Sequence, residues 1–444
     1  MSRTHDREIL RLAVPAFLAL AAEPLFLLAD AAIVGHLGTA PLAGLGIAAA
    51  VLQTAVGLCV FLAYGTTASV ARHLGAGDTR GALTQGIDGV WLAVLIGTVT
   101  TVLGVALTTP LVELFGAGAE VEDQAVAYLR VAFLGTTPLL VMLATTGVLR
   151  GLQDTRTPLV VAVLGNAANV AFNLLLVYGL GLGIAGSAWG SVLAQVLSAC
   201  ALTAVVVRAA RREGAALRPD RVGISAAAHA GVPLVIRTLT LRAALLVTTY
   251  AVTLGALDDT DQAADLAAHQ LALTLWTFLA FVLDAVAIAA QAITGRSLGA
   301  GDVAGTRAVT DRMIRWGLWS GVATGALLAL ASPLLGPLFT ADPAVHDRLV
   351  GVLLVAALGQ PVAGIVFVLD GVLIGAGDGR YLAWAGTVVL LVYVPAVFVS
   401  VLVGGGLLGV WVAFTAVFIG ARWVVLTRRA RSEAWLVTGV PTTT

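Results

Sequence analysis

Lysine is absent from this chain, and all 25 of its basic residues are arginine. A Walker-type nucleotide loop needs a lysine on the phosphates, so the chain is not an ATP-driven pump in its own right. Charge of either sign is scarce: 11% of residues are charged, against about 25% in soluble domains. A water-soluble globule is thereby excluded. Cysteine is limited to Cys59 and Cys200, each alone in an apolar run, which rules out a disulfide framework or a thiolate metal site and leaves two small buried hydrophobes. The six histidines (His5, His36, His73, His229, His269, His346) have no metal-ligand spacing. Neither a metal-dependent membrane hydrolase nor any other membrane enzyme is expected, because no catalytic cluster is visible at an interface, and no cofactor is called for. The formal net charge is +0, so nothing suggests a nucleic acid or other polyanionic partner.

What remains is overwhelmingly apolar, with 59% hydrophobic residues and 50 glycines in 444 positions. Twelve apolar stretches are long enough to cross a hydrocarbon core of ~30 Å: 11–35, 43–70, 87–109, 124–148, 159–178, 185–207, 226–254, 263–293, 313–338, 347–374, 383–403 and 406–427. The lipid bilayer is the solvent of this protein. Trp91, Trp316, Trp319 and Trp423 lie near proposed span ends, where interfacial belts place indoles. Glu8 and Arg11 lead into the first stretch without a small-residue cleavage site, so it reads as an uncleaved helix rather than a signal peptide.

The chain repeats itself. Leu74-Gly75-Ala76-Gly77-Asp78 returns as Leu298-Gly299-Ala300-Gly301-Asp302, and Gly147-Val148-Leu149-x-Gly151-x-x-Asp154-x-Arg156 returns as Gly371-Val372-Leu373-x-Gly375-x-x-Asp378-x-Arg380. Both pairs share one offset, 298 − 74 = 371 − 147 = 224. Two copies of a six-span unit are implied, a construction common among secondary transporters. Arginines fall at the N-terminus (Arg3, Arg7, Arg11), in alternate loops (Arg72 and Arg80, Arg150 and Arg156, Arg208 to Arg221, Arg296 to Arg315, Arg380) and in the tail (Arg428, Arg429, Arg431). The intervening loops carry acids: Glu113, Glu120, Glu122 and Asp123; Asp258, Asp259 and Asp261; Asp342 and Asp347, beside the exceptional Arg348. By the positive-inside rule both termini are cytoplasmic in a cell (inner or plasma) membrane, and an even span number makes the two halves parallel repeats. The expected organisation is an N-lobe (1–207, helices 1–6), a cytoplasmic linker (208–224), a C-lobe (225–432, helices 7–12) and a tail (433–444), acting as a monomer. In the Leu-Gly-Ala-Gly-Asp loops, Gly75 and Gly77 are expected to end a helix left-handed and Asp78 to cap the next, with Gly299, Gly301 and Asp302 doing likewise.

The informative chemistry is whatever stays polar inside the spans, since a charge there costs at least ~2.5–3.5 kcal/mol and is seldom kept without use. Asp30 leads: it sits in Leu28-Ala29-Asp30-Ala31-Ala32, and Glu23 lies seven residues earlier on the same helical face. A carboxyl held in apolar surroundings is the kind of group that exchanges protons near neutrality. Pro24 and Pro15 break the ladder of that helix, as a hinge or as static kinks. Asn166, Asn169 and Asn173 put three amides on one face of the fifth span, either to bind Asp30 or a ligand or to glue helices together. In the second half Asp284, Asp370, Arg237, Arg242, His269 and Gln270 interrupt apolar runs, and arginine with aspartate in one lobe suggests ion pairing. Arg130 in the fourth span either snorkels or pairs.

Taken together, Leu12-Ala13-Val14-Pro15, Asp30-Ala31-Ala32-Ile33-Val34-Gly35-His36-Leu37-Gly38, the paired Leu-Gly-Ala-Gly-Asp loops, Ala268-His269-Gln270 and Asp370-Gly371-Val372-Leu373-Ile374-Gly375 resemble the multidrug and toxic compound extrusion (MATE) family, most closely its DinF-like bacterial branch. The resemblance implies an all-α polytopic protein with twelve transmembrane helices in two pseudo-symmetric six-helix lobes. It also implies an antiporter that exports amphipathic, often cationic organic compounds in exchange for H+ or Na+ by alternating access. Asp30 matches the acidic residue that the family uses for proton coupling, and Asn169 resembles an asparagine of the fifth helix that supports it. The family pattern often has aspartate four residues further on, where this chain has Asn173; that departure shifts weight onto Glu23, Asp284 or Asp370.

The energetics agree. One proton entering down ~100 mV supplies ~2.3 kcal/mol and each pH unit adds ~1.4 kcal/mol, enough for a gradient of tens- to hundreds-fold. A lipid-linked oligosaccharide flippase of a related superfamily would be expected to line its cavity with several cations, of which Arg130, Arg237 and Arg242 are the candidates here. A major-facilitator transporter would carry an Asp-Arg-x-Gly-Arg loop between spans two and three, which this chain lacks.

Overall fold

A computed structural model describes residues 2–255, 259–340 and 342–440, apart from the side chains of 2–4, 23 and 259–261. Among the described residues the chain is helical, and twelve helices are long and apolar enough to cross a membrane. They are α1 (His5–Gly35), α2 (Thr39–Gly75), α3 (Thr79–Ala106), α4 (Ala119–Gly151), α5 (Arg156–Gly179), α6 (Gly183–Arg212), α7 (Arg221–Gly255), α8 (Gln262–Gly299), α9 (Val303–Phe339), α10 (Pro343–Gly375), α11 (Gly379–Leu402) and α12 (Gly406–Arg431). Each overlaps one apolar stretch read from the sequence and most extend it into the flanking residues, because the backbone must stay hydrogen-bonded to itself through the hydrocarbon and the headgroups, although α3 ends at Ala106 and α11 at Leu402, short of the expected 109 and 403. The protein is a multi-pass membrane protein. Of the loop acids, Asp258 lies outside the described residues, as do the side chains of Asp259 and Asp261.

The 224-residue repeat is visible in the turns. Asp78 Oδ1 accepts from Gly81 N at 2.7 Å to cap α3, and Asp302 Oδ1 accepts from Gly305 N at 2.7 Å to cap α9. The left-handed residue before each cap is Gly77 (φ 77°) and Gly301 (φ 75°). Gly75 and Gly299, expected to share that role, are instead the last residues of α2 and α8. A Schellman-like ending needs a single left-handed position, and the second glycine takes it. The other repeated turn pairs Gln153 (φ 66°) with Gly377 (φ 73°).

Helices interrupt where the sequence gives them cause. Pro15 and Pro24 lie inside α1. α2 is broken at Cys59-Val60, and α4 passes through a short 3-10 turn at Phe133–Gly135. α5 and α12 each contain a π-helical segment, Leu174–Gly179 and Phe414–Ile419. Such bulges recur at functional sites.

The helices form two compact units. One comprises Val14–Gly231 with Gly299–Gly301 and Gly439–Thr444; the other comprises Met1–Ala13, Val232–Leu298 and Asp302–Thr438. The first is cored by Val34, Leu45, Ala48, Leu129, Phe133 and Ala188, which seal one flank of its polar centre. In the second, Gly317, Gly321 and Gly325 recur every four residues on α9 and let its backbone press against α10, where a Cβ on Gly321 would lie 2.8 Å from Pro361 Cα. Close backbone approach replaces the hydrophobic drive that is missing between helices in lipid. This second unit also anchors the start of α1: Asp6 accepts from Arg312 Nε at 2.7 Å and Trp316 Nε1 at 2.8 Å, and Glu8 pairs with Arg296.

Candidate functional site

Asp30 is 3% exposed, five residues before the C-terminal end of α1 at Gly35. Its carboxylate takes three donors from three helices. Ser187 Oγ of α6 donates to Oδ1 at 3.0 Å, Tyr128 OH of α4 donates to Oδ2 at 3.1 Å, and Asn173 Nδ2 of α5 donates to Oδ1. The network continues outward: Asn173 Nδ2 also donates to Asn169 Oδ1 at 3.2 Å, and Asn169 Nδ2 donates to Ser191 Oγ at 3.0 Å. Asn169 and Asn173 are fully buried. Among the described residues the carboxylate has no cationic partner and is balanced by neutral dipoles alone, an arrangement that leaves it able to accept a proton.

The amide stripe splits in its roles. Asn169 and Asn173 serve the carboxylate, whereas Asn166 Nδ2 donates to Ala22 O at 2.9 Å, two residues before Pro24, and braces the kinked part of α1. The π segment of α5 begins at Leu174, directly after Asn173. Asn173 Oδ1 is buried and has no hydrogen-bond partner. Glu23's side chain lies outside the described residues. Sequence reasoning missed Tyr128, Ser187 and Ser191. A tyrosine in Val126-Ala127-Tyr128-Leu129 and serines at 187 and 191, one turn apart in an apolar helix, were the available signals.

The second unit treats its buried charge differently. Arg237 of α7 makes a two-pronged contact with Asp370 of α10, Nε to Oδ1 at 3.1 Å and Nη2 to Oδ2, and Arg422 Nη2 of α12 lies 3.4 Å from the same Oδ2. Arg422 had not been singled out from the sequence, because it sits near the arginine-rich end of the last span and reads there as an interfacial anchor. Asp284 is half-buried in α8, Arg242 is exposed on α7, and Arg237 and Asp370 form the expected ion pair. Arg130 is exposed and donates to Thr109 Oγ1 at 3.1 Å.

His269 is 1% exposed and locked in place. Trp411 Nε1 donates to its Nδ1 at 3.2 Å, so the ring proton sits on Nε2, which meets Thr249 Oγ1 at 2.9 Å. Trp411 meets its ring edge-on, and Phe414, Phe418 and Tyr393 continue the aromatic cluster from Trp411. Gln270, one position on, is exposed on a different face of α8.

Twelve spans in two related halves around buried polar centres are the build of a membrane transporter. The chain belongs to the MATE family: the MatE family model matches residues 15–175 and 233–399, once in each half. Among curated relatives, Protein DETOXIFICATION 44, chloroplastic, of Arabidopsis thaliana is 30% identical over 426 residues, covering 91% of this chain and 78% of that protein. DNA damage-inducible protein F of Escherichia coli is 28% identical over 305 residues, 67% of this chain and 65% of that protein, in keeping with the branch expected from the motifs. The crystal structure of the Vibrio cholerae MATE transporter VcmN superposes with a TM-score of 0.87 at 19% identity, over 98% of this chain and 99% of that one, which confirms the fold.

Proposed function

We propose that this transporter exports amphipathic organic cations from the cell in exchange for protons, and that Asp30 is the coupling site. The observation that carries the reading is the buried carboxylate of Asp30, held by Ser187, Tyr128 and Asn173 with, among the described residues, no cation beside it. Protonation puts an O–H where three donors already point. The proton then needs an acceptor, and Asn173 Oδ1, buried without a partner, becomes one if the amide turns over. That turn withdraws Nδ2 from both Asp30 and Asn169, so one proton changes contacts on α1 and α5 together. α1 carries Pro15 and Pro24 in its interior and α5 loosens into a π segment after Asn173, which makes these the two helices best able to move in response.

The substrate class rests on the family resemblance. Both termini and the linker at 208–224 are taken as cytoplasmic because the arginines cluster there, and the functional unit is taken as the monomer. Asn169, Asn166 and Ser191 act as supports to Asp30. Arg237, Asp370 and His269 act as the structural core of the second half, with Asp284 and Gln270 in secondary roles there, while Glu23 on α1 stays a further coupling candidate beside Asp30.

The test is efflux of a fluorescent organic cation from proteoliposomes under an imposed pH gradient and, separately, an imposed Na+ gradient, with wild type and Asp30→Asn. Transport driven by H+ and abolished in Asp30→Asn supports the reading. Transport driven by Na+ alone, or surviving the substitution, overturns the assignment of Asp30 as a proton site, and flux under neither gradient overturns cation export.

A further inference from the structure

We propose that the second unit holds a binding site for a monovalent anion of chloride size, coordinated by Arg422. A cavity of about 20 Å³ opens between α7, α10, α11 and α12, lined by Arg237, Asp370 and Arg422 and otherwise by apolar groups such as Leu241, Gly386 and Val389. Around it two guanidiniums face one carboxylate. Asp370 already spends both oxygens on the fork of Arg237. Arg422 approaches Oδ2 only to 3.4 Å, outside ordinary hydrogen-bond distance, and stands 5.9 Å from the Phe418 ring centroid.

Arg422 is 8% exposed and, among the described residues, donates no hydrogen bond, although a guanidinium has five N–H donors. Leaving such a group dry in a membrane interior is costly, and the remedy available on the page is an acceptor in the adjoining space. A volume of this order holds one water-sized occupant and excludes a carboxylic acid, a phosphate or a drug-like molecule. Between water and a halide, the second carries the charge that the guanidinium lacks, and apolar walls of low dielectric favour a neutralised pair over a solvated cation. The anion is thereby a structural ion of the second unit, separate from the carboxylate exchange at Asp30.

The experiment is equilibrium binding of radioactive chloride to the purified full-length transporter in chloride-free gluconate buffer, with wild type, Arg422→Gln and, as a control on the same helix, Arg429→Gln. Arg429 is engaged by Asp378 through Nε at 2.6 Å and does not line the cavity. Saturable binding, displaced by bromide and weakened at least tenfold in Arg422→Gln but not in Arg429→Gln, is the expected result. Absence of saturable binding to wild type, or equal affinity in Arg422→Gln, overturns the proposal. Should Arg422→Gln fail to fold, crystals of wild type soaked in bromide decide the matter: an anomalous peak beside Arg422 supports the site, and a cavity without one assigns it to water and overturns it.

Discussion

Among the described residues the cluster around Asp30 contains one carboxylate, so its proposed exchange has a definite stoichiometry. Asp30 is bonded to Ser187, Tyr128 and Asn173, and the next residues outward, Asn169 and Ser191, are neutral. One proton taken up for one monovalent cation released moves no net charge. The substrate gradient at which net flux stops is then about tenfold per pH unit, from ~1.4 kcal/mol per unit, and a membrane potential adds nothing. Two protons per cation would give about a hundredfold per pH unit and one net charge, worth a further ~2.3 kcal/mol or roughly fiftyfold at 100 mV. The two cases separate cleanly. In proteoliposomes at a fixed pH step, the ethidium ratio giving zero net flux is measured with the potential clamped by valinomycin and potassium at 0 and 100 mV. A tenfold ratio unmoved by the clamp is expected. A hundredfold ratio, or one that shifts with voltage, refutes the single-carboxylate argument and requires a second titrating group.

Asn173→Leu removes the donor to Asp30 and its link to Asn169; hydrogen bonds to a charged group contribute ~1.5–3 kcal/mol, so proton-driven transport should fall about tenfold or more at unchanged membrane level, and wild-type rates would contradict the network. Gly190→Ala should act on the same residue from the neighbouring helix, since a methyl there lies 3.0 Å from Asn173 N; overpacking of ~1–3 kcal/mol should lower both thermal stability and rate. Asp370→Asn breaks the fork with Arg237 and leaves guanidiniums uncompensated, a loss of about 3–5 kcal/mol that should appear as a clear drop in the apparent melting temperature of the detergent-solubilised protein. Gly321→Ala should likewise destabilise, by ~1–3 kcal/mol, because α10 backbone stands where the methyl must go; an unchanged melting temperature would mean that α9 and α10 can part at no cost.

The helices were legible because lipid leaves few options. A run of twenty apolar residues has to be a self-satisfied helix, and polar residues between runs bracket it, although α9 starts ten residues before the expected 313 and α3 eight before 87. The repeated motifs also announced the capped turns at Asp78 and Asp302, although not which glycine would take the left-handed position. Less could be read of the grouping into units. That residues up to Ala13 pack with the second unit depends on Asp6 meeting Arg312 and Trp316, more than 300 positions away, and no local pattern encodes such a pairing. Asp30 was conspicuous as a charge in an apolar run. Its partners were not, because Ser187 and Ser191 are small enough to pass as helix-packing residues and Tyr128 as an interfacial aromatic.

The two halves keep one backbone plan and diverge in what they bury. At the shared offset Asn169 corresponds to Tyr393, since 393 − 169 = 224. In the first half that position extends a polar chain to Asp30; in the second, Tyr393 OH meets Thr248 Oγ1 at 2.7 Å and its ring lies against Phe414 and Phe418. Hydroxyls and amides around a lone carboxylate can reverse their donor and acceptor roles at small cost, whereas a guanidinium fork cannot. On the proposed coupling a proton changes the bonding around Asp30, whereas the fork of Arg237 on Asp370 has no such freedom. Symmetry of fold thus coexists with asymmetry of chemistry, and the proposed division is of a responsive half working against a rigid one.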